Sequence, residues 1–360
     1  MKKTTWCLAG AVSGCLLIAQ SEPQARGLFE DHSDVGTVLH VGTAAYDAAS
    51  RTYTLTGSGE NMWFAADDFQ FVWKKVSDEN VSLTADISLP DGGENHRKAV
   101  LMIRQSLDAD SPYVDAARHG DGLTSLQFRD AKGGVTHEVQ SNISAPERLR
   151  IAKRGDRFYM WVGGDGKELE FAGGSARVEL HAPFYVGIGV CAHNKDAIQQ
   201  AVFSKVDLDN TTAHDAPMRY STLETVAVAS TDARVSYVTP ERIAAPEWSP
   251  DGASLIFRSG GRTQQVRIAG GTPETIQAAK PKNARTSLSP DRLQTAFLSV
   301  PGHATEKGNR DILLSVTSDA KKTTKVVAKF TGGRGTLAAH AWSPDGKRLA
   351  FVSYQSVSAK

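Results

Sequence analysis

The sequence predicts an all-β chain in two parts, and three observations carry that prediction. Strand-like runs recur at short intervals from about residue 53 to residue 207, many alternating apolar and polar side chains, and no convincing amphipathic helical stretch interrupts them. The joints between them are turn chemistry, as in Pro90-Asp91-Gly92-Gly93, Lys132-Gly133-Gly134 and Gly163-Gly164-Asp165-Gly166. Further on, one turn signature repeats. Trp248-Ser249-Pro250-Asp251-Gly252 returns as Trp342-Ser343-Pro344-Asp345-Gly346, with a degraded copy at Leu288-Ser289-Pro290-Asp291.

The chain opens on Met1-Lys2-Lys3 and an apolar run from about Trp6 to Ala19, the pattern of a bacterial export signal, expected over residues 1–21. Val12-Ser13-Gly14-Cys15 offers the alternative of a lipoprotein anchored through Cys15. The most apolar residues, Leu16-Leu17-Ile18, follow that cysteine, which favours soluble export to the periplasm or beyond. The run is too short to cross a bilayer, and nothing later is longer. Cys7 and Cys15 fall within the signal, so Cys191 has no partner for an intramolecular disulfide in the soluble mature form. It sits in the apolar run Phe184–Cys191 and is expected to be a buried, inert thiol. Lysines and arginines number 41 against 40 aspartates and glutamates, a net charge of +1 with both signs interspersed, which gives no basic footprint for nucleic acid.

Residues 27–208 read as one β-sandwich of about eleven short strands. Val81-Ser82-Leu83-Thr84-Ala85-Asp86-Ile87-Ser88-Leu89 places its apolar residues on one face. The stretches Gly27-Leu28-Phe29-Glu30-Asp31-His32-Ser33-Asp34-Val35-Gly36, Gly57–Trp63, Phe69–Lys75, Leu149–Phe158 and Ala201–Val206 carry a resemblance to the concanavalin/laminin-G-like jelly-roll group. That resemblance implies an architecture, seen both in accessory modules of glycosidases and in bacterial secreted proteins.

A polar segment, residues 209–219, is expected to link this sandwich to a second all-β region, residues 220–360. There the three serines of the turn signature lie 40 and 54 residues apart, spacings that suit four-stranded blades with an insertion near residues 301–310. Each signature feeds a strand, and Ala269-Gly270-Gly271-Thr272-Pro273 adds a second turn. This order of turn, strand and turn resembles the TolB-like (PD/WD-type repeat) β-propellers, whose rings have more blades than the three recognisable here. The expectation is therefore a partial propeller: truncated, completed by cryptic blades, or left with an open edge at Phe351-Val352-Ser353-Tyr354 through which the chain would self-associate.

No zinc-protease histidine pair, phosphate loop, dinucleotide fingerprint or nucleophile elbow is present, and neither a catalytic set, a metal nor a cofactor is expected. His119-Gly120-Asp121-Gly122 reads as a polar loop, and Asp108, Asp110 and Asp115 as an acidic loop over residues 107–118. Glu138 and Asp86 are the carboxylates that a glycosidase would need to bring together across a cleft. Arg104 and Gln127 are polar residues among apolar strand neighbours. With Trp63 or Trp73 as a stacking surface and Glu138 nearby they could line a ligand groove; the competing expectation is that they pair within the protein.

The function this supports is an exported, non-catalytic binding or scaffolding protein of the cell envelope, recognising protein or glycan. The alternative is a carbohydrate-active enzyme or accessory module using the sandwich groove.

Overall fold

The computed structural model describes residues 27–164, 168–210, 218–276, 288–300, 310–318, 320–332 and 340–357. The expected export signal with Cys7 and Cys15, residues 301–309 of the expected insertion and residues 211–217 of the expected linker lie outside them. The described residues are all-β and contain no helix.

Strands are numbered in chain order. The largest sheet has eleven. Across it run β1 (Asp31–Val35), β6 (Phe69–Val76), β16 (Phe184–Cys191), β8 (Lys98–Arg104), β9 (Tyr113–His119), β10 (Thr124–Arg129) and β11 (His137–Gln140). It continues through β19 (Ala233–Thr239), β18 (Met218–Ala227), β28 (Arg348–Val357) and β27 (His340–Trp342). An eight-stranded sheet orders β14 (Glu170–Phe171), β13 (Arg157–Gly163), β12 (Arg148–Arg154), β7 (Asn80–Ser88), β17 (Gln199–Asp209), β3 (Thr52–Gly57) and β2 (Thr43–Asp47), with β15 (Ala176–Arg177) paired to β13. Smaller sheets contain β20 (Ala244–Trp248), β21 (Ser254–Ser259), β22 (Arg262–Arg267) and β23 (Glu274–Thr275), and β24 (Gln294–Ser299), β25 (Arg310–Ser318) and β26 (Thr323–Gly332). A short hairpin pairs β4 (Met62–Trp63) with β5 (Ala66–Asp67).

The two large sheets stack as a sandwich over residues 27–209. Alternation decides which side chains meet: Val81, Leu83, Ala85 and Ile87 of β7 join Leu101 and Ile103 of β8, Ala116 of β9 and Phe203 of β17 in one core. Each large side chain so buried contributes roughly 1.5–3 kcal/mol over an exposed one.

In the C-terminal half β28 has two buried faces. Leu349 and Phe351 enter a cluster with Ile312, Leu314 and Phe330, while Ala350 and Val352 enter another with Leu255 and Phe257. The stretch Phe351–Tyr354 is therefore not the open edge expected from the sequence. It pairs with Glu224 to Ser221 of β18, and Phe351 also faces His340 of β27, because the first strand of this half closes against the last.

The repeated turn has one geometry in three copies. Ser249, Ser289 and Ser343 each donate their hydroxyl to the aspartate two residues on, at 2.5, 2.5 and 2.6 Å. Each hydroxyl also accepts the backbone N–H five residues on, at 2.9, 3.0 and 2.9 Å. Gly252 (φ +70°) and Gly346 (φ +68°) take the left-handed conformation that the turn requires. In the degraded copy Arg292 adopts it at φ +61°.

The two halves touch. Tyr159, Trp161 and Phe171 of the sandwich cluster with Val357, Tyr220 and Val238. Gly173 makes the approach close: a Cβ there would stand 2.5 Å from Val238 Cγ2 and 2.9 Å from Val235 Cγ1. At the rim Arg157 and Arg177 both bond Asp311.

Candidate functional site

The antiparallel register fixes which side chains share the face of the eleven-stranded sheet that looks away from the sandwich core. Lys98 stands between Cys191 and His119. Met102 stands between Gly187 and Asp115, and Gln127 and Glu138 continue that row. Arg104 stands between Tyr185 and Tyr113, with Arg129 beyond. Leu101, Ile103, Ala116 and Leu126, on the opposite parity, fill the core.

This face is roofed by the chain itself. The β4–β5 hairpin lies on it, its carbonyls receiving Lys98 Nζ and Tyr113 Oη at Met62 (3.1 and 3.2 Å) and Arg129 Nη2 at Trp63 and Phe64 (3.3 and 3.2 Å). Asp67, at the hairpin's end, meets Arg129 at 2.7 Å and Arg104 at 3.4 Å, all three side chains fully buried. Isolated buried charges are costly, and here each guanidinium finds the carboxylate and further oxygens.

Of the residues expected to line a groove, Arg104, Gln127 and Glu138 do share this face. Arg104 is sealed, bonding the carbonyls of Ser106 and Asp108 at 2.6 Å as well as Asp67. Gln127 is 1% exposed; its oxygen accepts from Lys98 Nζ at 3.2 Å and its Nε2 meets His119 Nε2 at 3.3 Å. Both pair within the protein rather than lining open space. The tryptophans form no common platform. Trp63 lies under Lys98, 5.4 Å from Nζ to ring centre, while Trp73 packs edge-on against Tyr185 at 5.1 Å and donates to Ser33 at 3.4 Å.

The expected carboxylate pair is split. Asp86 lies on the other sheet, bound to Arg148 and Lys205, whereas Glu138 is on β11. Asp108 and Asp110 do sit in a loop, both held by Lys132. Asp115 does not: it is in β9 and fully buried, and neither carboxylate oxygen receives a side-chain hydrogen bond. Burial raises its pKa well above the carboxylate range, lowers that of neighbouring Lys98, and pushes His119 well below its usual value. Cys191 is buried and its thiol is pushed up to about 11 by the same loss of solvation, as expected of an inert cysteine.

A second feature lies where the halves meet. A cavity of about 310 Å³ is lined by Phe128, His137, Glu138 and Arg177 from the sandwich and by Glu224 and Phe351 from the C-terminal half. Glu224 is buried and hydrogen-bonded to Ser353; burial raises its pKa to about 7. Gln355 donates to the Ser353 hydroxyl at 3.3 Å and accepts from Ser175 at 3.3 Å, carrying the polar chain across the seam. A second cavity, of about 450 Å³, lies where the three repeated turns converge, with Trp248, Ser289 and Trp342 on its wall.

Reading the sequence passed over Asp67, Lys98, Arg129 and Glu224. Lys98 and Arg129 end their strands as Arg104 does, so the signal that singled out Arg104 could have found them. Glu224, between Leu223 and Thr225, carried no signal distinguishing it from a solvent-facing strand residue.

No family model matches the chain. An uncharacterized protein of Agrobacterium fabrum is 26% identical over 140 residues, which is 36% of this chain and 42% of that protein, so the match spans less than half of this curated relative. Among solved structures, a functionally unknown protein from Saccharomyces cerevisiae aligns with a TM-score of 0.39 at 13% identity, over 51% of this chain and 97% of its own. The alginate lyase from Klebsiella pneumoniae aligns at 0.31 and 11%, over 47% and 84%. The Bacillus licheniformis β-glucanase aligns at 0.29 and 9%, over 48% and 89%.

Proposed function

We infer that the chain is an exported, non-catalytic binding protein of the cell envelope, and that its ligand occupies the cleft between the two halves. The observation that carries this is the contrast between two surfaces. The sheet face on which a sandwich enzyme would act is covered by the β4–β5 hairpin and paired internally, whereas the seam keeps a cavity of about 310 Å³. That size lies at the small end of the range for ligand sites. Its acidic groups, Glu138 and Glu224, can hydrogen-bond ligand hydroxyls, and the half-buried rings of Phe128 and His137 stand in its wall, a chemistry that suits a short glycan. In this reading the sandwich is a concanavalin-like jelly roll, and the β20–β23 sheet, the β24–β26 sheet and the β19–β18–β28–β27 end of the largest sheet are TolB-like propeller blades. The shared turn geometry and the convergence of the three turns support it.

The test is a glycan array alongside a chromogenic glycoside panel, using the mature protein. Binding without turnover, lost in Phe128→Ala and in Glu138→Gln, is the expected result; absence of glycan binding, or binding untouched by both variants, would overturn the assignment. A second reading is favoured by Asp115, a buried carboxyl in the row of Gln127 whose pKa burial raises well above the carboxylate range, the direction a general acid needs. On that reading the chain is a carbohydrate-active enzyme, and turnover abolished by Asp115→Asn would establish it.

A further inference from the structure

We propose that one end of the eleven-stranded sheet is a binding site for a divalent first-row transition ion such as Zn²⁺, formed by His96, His119 and Asp121 with His193 as a fourth ligand. The topology assembles it. β8 begins at Lys98, β9 ends at His119 and β16 ends at Cys191, and these three residues lie side by side in the register. His96 precedes the first strand by two residues and His193 follows the last by two, so both reach the same end of the sheet as the turn carrying His119 and Asp121.

The distances suit one ion. Ligand atoms of His96, His119 and Asp121 all lie within 4.8 Å of one another, and His96 Nδ1 stands 3.9 Å from Asp121 Oδ2. The ring centres of His96 lie 5.7 Å from those of His119 and 5.5 Å from those of His193. Two imidazoles on one tetrahedral zinc hold their ring centres about 5 Å apart, given zinc–nitrogen bonds near 2 Å. Small rotations of His96, 53% exposed, and Asp121, 35% exposed, close the remaining gap.

A second, independent observation points inward. His119 is 4% exposed, and its Nδ1 is buried with no hydrogen-bond partner; His193 Nδ1 is in the same condition. Buried polar atoms are rarely left unpaired, and a ligated ion would satisfy both. Asp121 is already oriented: Oδ1 accepts the Leu123 N–H at 3.0 Å, leaving Oδ2 toward His96. Ligation through His119 Nδ1 leaves the ring proton on Nε2, where the Gln127 amide can turn its oxygen to receive it, the outer bond that metal-binding histidines usually make. Lys98 then keeps the oxygens of Asn61 and Met62 as acceptors. A nitrogen-rich set selects zinc, nickel or copper over calcium or magnesium.

Titration of the untagged mature protein with Zn²⁺ by calorimetry, and with Co²⁺ by visible absorption, tests the proposal. The expected result is a single equivalent bound and Co²⁺ bands of a four-coordinate site. His96→Ala and Asp121→Asn, both at exposed positions and so fold-neutral by circular dichroism, should each weaken binding about tenfold or more. His181→Ala, at the opposite end of β8 where its carbonyl accepts from Gln105, should leave it unchanged. No stoichiometric binding, or binding undiminished in both cluster variants, would overturn the site.

Discussion

Arg129 donates from Nη2 to Asp67 Oδ1 at 2.7 Å across 62 residues of sequence, and neither side chain touches solvent. The pair fixes the β4–β5 hairpin to the sheet, and Arg104 shares the same carboxylate. Asp67→Ala strands two guanidiniums in the interior, so the sandwich should lose about 3–5 kcal/mol. Chemical denaturation of the variant checks this; a change under about 1 kcal/mol would mean that water reaches the cluster.

Glu224 gives the C-terminal half a pH dependence. Its carboxyl is raised from an ordinary value of 4.5 to about 7, so the folded state holds a proton that the unfolded state releases between those values. Stability from this group is full below about pH 4.5 and is lost as pH rises through 7, by roughly 3 kcal/mol at most. Glu224→Gln should flatten the decline between pH 5 and 8, read as melting temperature against pH.

The three turns differ in one residue that matters. Arg292 holds a left-handed conformation that Gly252 and Gly346 hold without strain. Arg292→Gly should therefore not destabilise and should gain up to about 1 kcal/mol, whereas Gly346→Ala should lose about as much. Ser343→Ala, which removes both bonds of a buried hydroxyl, should cost about 1–3 kcal/mol. Thermal denaturation of the three variants ranks them.

Cys191 should resist thiol reagents in the native protein and react at once in denaturant. It is fully buried, and its sulfur meets the carbonyls of Gly59 and Asp68 at 3.6 and 3.4 Å and the His193 backbone N–H at 3.5 Å. Rapid native labelling would show that the strand opens locally.

Val352→Pro tests the closure of the C-terminal half. Because Val352 faces Leu223 inside a paired strand, proline should cost about 3 kcal/mol or more and promote aggregation rather than relieve it. Light scattering at rising temperature distinguishes the two directions.

The period-two pattern made much of the sandwich legible. Val81 to Leu89 alternates as read, and the burial of Cys191 followed from its apolar neighbours. What failed was long-range. An apolar strand with a charged end looks alike whether a ligand or a hairpin covers it, so Arg104 read as a groove residue although Asp67 lay 37 positions away. Asp115 looked like part of an acidic loop because Asp108 and Asp110 precede it, and the strand began only at Tyr113. Counting turn signatures suggested an open edge, since nothing local announces that residues 218–227 will pair with 348–357.

That pairing sets an order of events at the ribosome. Every strand bonded within the sandwich core has emerged once residue 209 is out, so this half can complete its core early. The other half cannot. β18 waits about 130 residues of synthesis for β28, with its partner-facing backbone open in the interval. Chaperone dependence should therefore fall on nascent chains whose synthesis has passed β18 but not reached Arg348, and slow codons placed in that window should lower the yield of folded protein more than the same codons placed earlier.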